Sequence, residues 1–444
     1  MREFINANET IREDDIETVR AAIAEACADG CRKVKIPRYN ARTKETSWHF
    51  LHAIELPSQF TLILDNCDLF QADGSYEPLI CNKDANDPDF LNDASRRMFN
   101  ISVLGEGNVC LSGGNHNHCL EMTNRRLGLP DMWVQHLILF RNVDGIRVEN
   151  LHLEHQRWWA INHIFCANAV YRNIDFFAYP HVPNMDGIDM RIGCHDFFFE
   201  NITGVTGDDV LATTGLCGGE RRRLVPGLSW DICHIKIRNV KAASYNCQLT
   251  RLLNHDGCHE YDYELDCMMD SSDQHSAFHP GYGVGIGSPF YYSIHVAEPG
   301  DTHDIVIKNM YTRGDTALRP AHVCENLTAS NIHTFSRNNH LFDTFEDGLT
   351  LKNIKLDHLY FGSDMPHYPD GEKVEPEKYT GDLITLPNTK GDVTIDYLEA
   401  DSVRRGISVS GGVKLNITRY NAPDVYIPLK KDEASQVIID GVEQ

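Results

Sequence analysis

Ile305-Val-Ile-Lys-Asn-Met310 alternates apolar and polar residues, reaches an asparagine and returns to an apolar side chain. Ile146-Arg-Val-Glu-Asn-Leu151 and Leu349-Thr-Leu-Lys-Asn-Ile354 repeat the pattern, whose asparagine falls at 150, 173, 201, 239, 309, 331 and 353. The last three are 22 residues apart, and the interval from 150 to 173 is 23. Alternation signals a half-buried strand. Self-similarity at about 20 to 50 residues signals a solenoid, propeller or array. A unit of 22 or 23 residues is too short for a propeller blade and holds no helix-length segment. The pattern therefore predicts an all-β fold, a right-handed parallel β-helix, whose longer intervals are coils carrying loops. The asparagines are expected at coil corners, where they tolerate left-handed backbone and bond the equivalent residue of the next coil.

Around this repeat the chain reads as a single β-helix domain spanning 1–444, with an N-terminal cap region at 1–60 and a loop insertion over the groove at 255–300. Asp14 to Asp29 is a convincing helix, because Ile16, Val19, Ile23, Ala26 and Cys27 share one face and Gly30 follows as a stop. An open-ended solenoid needs such a cap. Strands are expected at Arg32 to Pro37, Thr61 to Leu64 and Asn100 to Leu104, and Asp364 to Asp382 reads as a second surface excursion.

Composition bounds the partners. With 444 residues, 42% of them hydrophobic, the core is ample. The formal charge of −23 argues against nucleic acid and anionic membranes. No run of 18 apolar residues is present, so no membrane span is expected. Fourteen cysteines are scattered singly, which suits free thiols in a reducing compartment. The start, Met1 to Thr10, lacks the apolar core of a secretion signal. A cytoplasmic location is expected, or secretion if a leader was trimmed. A homo-oligomer is compatible with the sequence.

Asp208 and Asp209 stand side by side after Gly207, and Asp186 comes 22 residues before Asp208. In a stack, residues one period apart become neighbours about 4.8 Å apart. Three carboxylates would then share one patch, as acid/base cleavage of a glycosidic bond requires. Consecutive strand residues point to opposite faces, so Asp208 and Asp209 can both face outward only at a bend, which Gly207 supplies. Like charges held this close favour keeping one proton among them.

Four segments in order and spacing resemble the polygalacturonase-type (pectin-degrading) inverting glycoside hydrolases. They are Phe140-Arg-Asn-Val-Asp-Gly-Ile-Arg-Val-Glu-Asn150, Trp159-Ala-Ile-Asn-His163, Pro183-Asn-Met-Asp-Gly-Ile-Asp189 and Gly207-Asp-Asp209. The family's Asn-Thr-Asp and Gly-Asp-Asp motifs are kept, with Met185 in place of the threonine. The resemblance implies a right-handed parallel β-helix and inverting hydrolysis. It makes Asp208 the acid, with Asp186 and Asp209 positioning and deprotonating water. In such enzymes acid and base stand about 6.5 to 9.5 Å apart.

Two further family motifs are altered. The Gly-His-Gly element followed by Ile-Gly-Ser matches Gly281-Tyr-Gly-Val-Gly-Ile-Gly-Ser288, with Tyr282 at the histidine position, or else falls near Ser244-Tyr-Asn246. The Arg-Ile-Lys element that grips the substrate carboxylate is reduced to Arg319-Pro-Ala321. The resemblance therefore points to pectin-like or related plant or microbial oligosaccharides, with loops walling off one end of the groove for exo action. The catalytic set is Asp186, Asp208 and Asp209. The substrate-binding set is His163, Asn184, Asp189, Arg251, His279, Tyr282 and Arg319. Trp158 and Trp159 are stacking candidates, of which at least one should face the core.

His116, His118 and Glu121, and likewise His255, Cys258, His259, His275 and His279, offer ligand-type side chains. Their spacings match no rigid metal motif, so no metal and no cofactor is expected. The partner is an oligosaccharide or polysaccharide. Two other classes compete: a lyase or transferase on the same scaffold, and a noncatalytic, tailspike-like β-helix that binds glycans.

Overall fold

The computed structural model describes residues 2–87, 93–114, 135–179, 184–215, 229–245, 247–254, 258–272, 282–287, 298–335, 340–344, 348–362 and 381–444. Contacts divide the chain into two compact units. One is Met1–Ala212 with Gly218–Trp230, and the other is Thr213–Cys217 with Asp231–Gln444. The architecture is a right-handed parallel β-helix, with one α-helix among the described residues.

In the first unit a ladder of short strands runs through Ile54–Leu56, Ile80–Asn82, Ile138–Arg141, Ile161–Ile164 and Ile188–Arg191. Its register stacks Ile54, Ile80, Ile138, Ile161 and Ile188 in one fully buried column. Each such side chain contributes about 1.5 to 3 kcal/mol on burial, and β-branched residues suit the pleat. A second ladder carries the long strands Val143–Glu154, Ala167–Phe177 and His195–Thr206. In the other unit Ile237, Leu265, Ile307, Ala329, Leu356, Ile395, Ile417 and Ile439 form a column of the long-strand ladder, buried from Ile237 to Ile417.

The asparagine corners have their physical basis in the backbone. Asn150, Asn173 and Asn201 hold φ of 58°, 54° and 59°, left-handed values that asparagine tolerates. Asn173 Nδ2 donates to Asn150 Oδ1 at 2.7 Å, and Asn201 Nδ2 donates to Asn173 Oδ1 at 2.9 Å. Asn331 likewise donates to Asn309 at 2.7 Å. The expected step from Asn331 to Asn353 is corrected. Ala329 stands opposite Leu356, a step of 27, so Asn353 Nδ2 bonds Asn326 Oδ1 at 2.8 Å instead. Each coil here has two left-handed kinks five residues apart, at Asn326 and Asn331. Asn353 belongs to the first kink.

The helix Asp15–Asp29 buries Ile16, Val19, Ile23 and Ala26. Asp14 caps it by accepting from the Glu17 N–H at 2.8 Å, and Gly30 ends it in left-handed backbone at φ 80°. Within 255–300, read as a loop insertion, two of the described stretches differ from that reading. Glu260–Asp270 and Tyr282–Ile286 are strands of the β-helix, paired in parallel with Ile232–Ser244 and Gln248–Leu253. Acidic and tyrosine residues hide the alternation there, since Tyr263, Leu265 and Met268 face inward. The twelve cysteines among the described residues are all free thiols, and burial pushes Cys67 up to about 12. Among the described residues no helix is long and apolar enough to cross a membrane.

Candidate active site

Backbone register brings the aspartates together. Ile161 stands opposite Ile188, and its N–H donates to Gly187 O at 3.0 Å. The same relation recurs one coil later: Ile188 N–H donates to Val210 O at 3.0 Å, and Gly187 N–H to Asp209 O at 2.9 Å. Ile188 therefore faces Leu211, and Asp186 faces Asp209. The step is 23 residues, where the sequence suggested 22, so Asp186 stacks on Asp209 and Asp208 lies beside Met185. Gly187 lets the two coils close, because a Cβ there would stand 2.4 Å from Val210 O.

Asp208 and Asp209 occupy the bend between His195–Thr206 and Leu211–Thr214. Thr206 Oγ1 donates to Asp208 O at 2.6 Å and Gly207 N–H donates to Met185 O at 3.0 Å, which fixes the turn. The Asp208 side chain is half-buried. Its Oδ1 accepts from the Asp209 N–H at 3.0 Å and its Oδ2 from the Asn184 N–H at 3.3 Å. Asn184 thus acts through its backbone, turned by a φ of 58°. Asp186 and Asp209 are buried, at 5% and 1% exposure. Carboxylate oxygens of Asp208 and Asp209 lie within 4.8 Å of each other. Gln156 Nε2 donates to Met185 O and Asp186 O, both at 3.1 Å, and ties this turn to the preceding coil.

The column extends away from the carboxylates. Ala160 N–H donates to Asp186 O, which places Trp159 opposite Asp186, and the Ile138–Ile161 register places His136 opposite Trp159. His136 Nδ1 lies 2.9 Å from Trp159 O and must donate to it, leaving Nε2 to accept from Asn162 Nδ2 at 3.2 Å. The His136 ring stacks on Trp159 with centroids 6.0 Å apart, and the Arg191 guanidinium lies 5.7 Å from the Trp159 centroid. Trp159 is half-buried and Trp158 is buried. An aromatic face beside paired carboxylates is suited to holding a sugar ring next to an acid and a base. Sequence reasoning missed His136, Gln156 and Arg191. For His136 a signal existed, since it precedes Trp159 by the same 23 residues that separate Asp186 from Asp209.

His163 is not a substrate contact, which corrects the expectation. It is fully buried among Phe140, Tyr171 and Phe197. Its Nδ1 donates to Asp189 O at 2.8 Å and its Nε2 bonds the Tyr171 hydroxyl. Burial lowers its pKa to about 4, so the ring is neutral. Alternation explains the reversal, because Ile161 and His163 share the inward face and Asn162 takes the other. Asn162 stands opposite Asp189, whose side chain is also buried.

The remaining candidates lie in the second unit. Arg251 pairs with Gly285 and Gly285 with Arg319, so two half-buried guanidinium side chains share one column across a residue without a side chain. Tyr282 begins a strand with its backbone opposite Gln248. His279 lies outside the described residues. In the same unit Glu260 is completely buried and accepts from Thr213 Oγ1 at 3.0 Å, and burial raises its pKa to about 8.

No protein-family model matches the chain, and no curated protein matches it significantly. Solved structures do. A family 28 exopolygalacturonase of Yersinia enterocolitica aligns with 100% of this chain and 80% of its own length, at 13% identity and a TM-score of 0.58. A mutant tailspike protein of an E. coli bacteriophage, in complex with a hexasaccharide, aligns with 98% of this chain and 80% of its own, at 11% identity and 0.57. A surface adhesin of Streptococcus pneumoniae aligns with 97% and 94%, at 11% identity and 0.53. Likenesses this distant establish the β-helix fold. They do not choose among the activities it carries.

Proposed function

We propose that this chain is an inverting glycoside hydrolase that cleaves pectin-like or related oligosaccharides from a chain end. The observation that carries the reading is the hydrogen-bond register that stacks Asp186 on Asp209 with Asp208 beside them. Asp208, the most exposed of the three, protonates the departing glycosidic oxygen. Asp186, buried one coil away, deprotonates the attacking water, and Asp209, buried and too close to Asp208 to leave room for water between acid and base, positions it. Trp159 supports the sugar ring that presents its bond to this pair. The likeness to an exopolygalacturonase supports the substrate class.

The test is a panel of defined oligosaccharides, with the released anomer followed by NMR. The wild-type chain is expected to release the inverted anomer. Asp208→Asn is expected to lower turnover by about 100-fold to 10,000-fold, the usual contribution of a positioned acid. A retained anomer overturns the inverting mechanism. Unchanged turnover in the variant overturns the acid role.

A further inference from the structure

A second cluster in the first unit brings together side chains from strands far apart in sequence. Asp68, Cys110, His152, Asp175 and Thr203 are consecutive members of one cross-strand column. Glu154 lies two residues after His152 on the same strand and therefore on the same face. Cys110 Sγ, a His152 ring nitrogen and a Glu154 oxygen all lie within 4.8 Å of one another. Cys110, His152, Asp68 and Asp175 line a cleft of about 410 Å³. We infer that Cys110, His152 and Glu154 bind a thiophilic divalent cation of the zinc type.

Three observations carry this. Thiolate, imidazole and carboxylate together form a ligand set that zinc takes in tetrahedral sites, and three protein ligands leave a fourth position for water. The spacing fits: ligand atoms bound tetrahedrally at about 2.1 Å stand about 3.4 Å apart. His152 Nε2 and Glu154 Oε2 are 3.7 Å apart, so small side-chain rotations close the set. Finally, His152 is oriented as a metal-bound histidine is. Its Nδ1 lies 2.7 Å from Asp175 Oδ2, which leaves Nε2 directed to the cluster, and Asp175 is held in turn by Thr203 Oγ1 at 2.5 Å.

The ordinary alternative is an ion pair of His152 with Asp175 and Glu154 in which the Cys110 thiol also bonds Glu154, and the titration below separates it from a cation site. Binding places Sγ and His152 Nε2 on the cation and releases two protons to solvent, one from the thiol and one from the imidazolium that the flanking carboxylates otherwise hold.

The test uses the full chain, stripped with a chelator and titrated with Co²⁺ alone. One equivalent is expected to give a thiolate-to-cobalt charge-transfer band in the near ultraviolet, abolished by adding Zn²⁺. Cys110→Ser is expected to lose the band while its circular dichroism melt stays cooperative. Asp175→Asn keeps every ligand and is expected to weaken Co²⁺ binding by about 10-fold to 100-fold, the usual effect of removing a partner that orients a ligand. If Cys110→Ser does not fold, the Asp175→Asn titration decides. Absence of the band in the wild-type chain overturns the site. So does a band that survives Cys110→Ser, or unchanged affinity in Asp175→Asn.

Discussion

Single residues decide whether the carboxylates meet. Gly187 lies between Asp186 and Ile188, and its amide bonds Asp209 O across the coil gap. A methyl group added there would lie 2.4 Å from Val210 O, a backbone atom that cannot rotate away. Gly187→Ala is therefore expected to cost about 1 to 3 kcal/mol in urea unfolding, the usual range for forced overpacking. It should also lower kcat/KM at temperatures where the chain stays folded, because the coils part where Asp186 faces Asp209. Unchanged stability would show that the coils close by another route. The aspartates themselves were legible in the sequence as types and in rough spacing. Their alignment was not, because a one-residue difference in coil length decides which aspartate stacks on which. His163 was misplaced for a related reason: a polar ring beside a family-like motif outweighed the plain alternation that puts it with Ile161.

At the scale of elements, the asparagine corners are both the clearest sequence signal and a source of stability. Asn173 donates to Asn150 and accepts from Asn201 while holding a left-handed φ of 54°. Asn173→Ala loses both bonds and leaves a Cβ in left-handed backbone without the polar side chain that makes it tolerable, a cost of about 1 to 2 kcal/mol. Asn173→Gly loses the same bonds without the strain and should recover about 1 kcal/mol of that cost. Equilibrium denaturation of the two variants separates the terms, and equal stabilities would show that strain is not the larger one. The ladders also show where pattern reading stops. Asn353 fitted the spacing by coincidence, since the coil beneath it advances by 27 residues and each coil has two similar corners. Glu260–Asp270 escaped notice because tyrosine and methionine fill the inward positions usually taken by isoleucine and valine. The proposed metal cluster left no sequence signal at all, since Cys110 and His152 become neighbours only through the register of separate coils.

Across the whole molecule, two buried ionisable groups give the two units opposite responses to pH. His163 belongs to the first unit, and its folded pKa of about 4 lies below the ordinary 6.5. Between these values the unfolded chain takes up a proton that the folded unit does not, so stability is complete above 6.5 and falls as pH drops toward 4. Glu260 belongs to the second unit, and burial raises its folded pKa from 4.5 to about 8. There the folded chain keeps a proton that the unfolded chain has lost. Stability is complete below 4.5 and declines as pH rises toward 8, by up to about 1.4 kcal/mol per pH unit. Glu260→Gln cannot ionise, keeps an oxygen to accept from Thr213, and removes this alkaline loss. Urea unfolding from pH 4 to 8 is expected to show the variant gaining on the wild-type chain steadily above pH 5, with hydrogen exchange locating the gain in residues 231–444. Parallel curves for the two chains would mean that Glu260 is ionised within the folded unit and that Arg251, whose positive charge opposes the burial effect, holds the anion there.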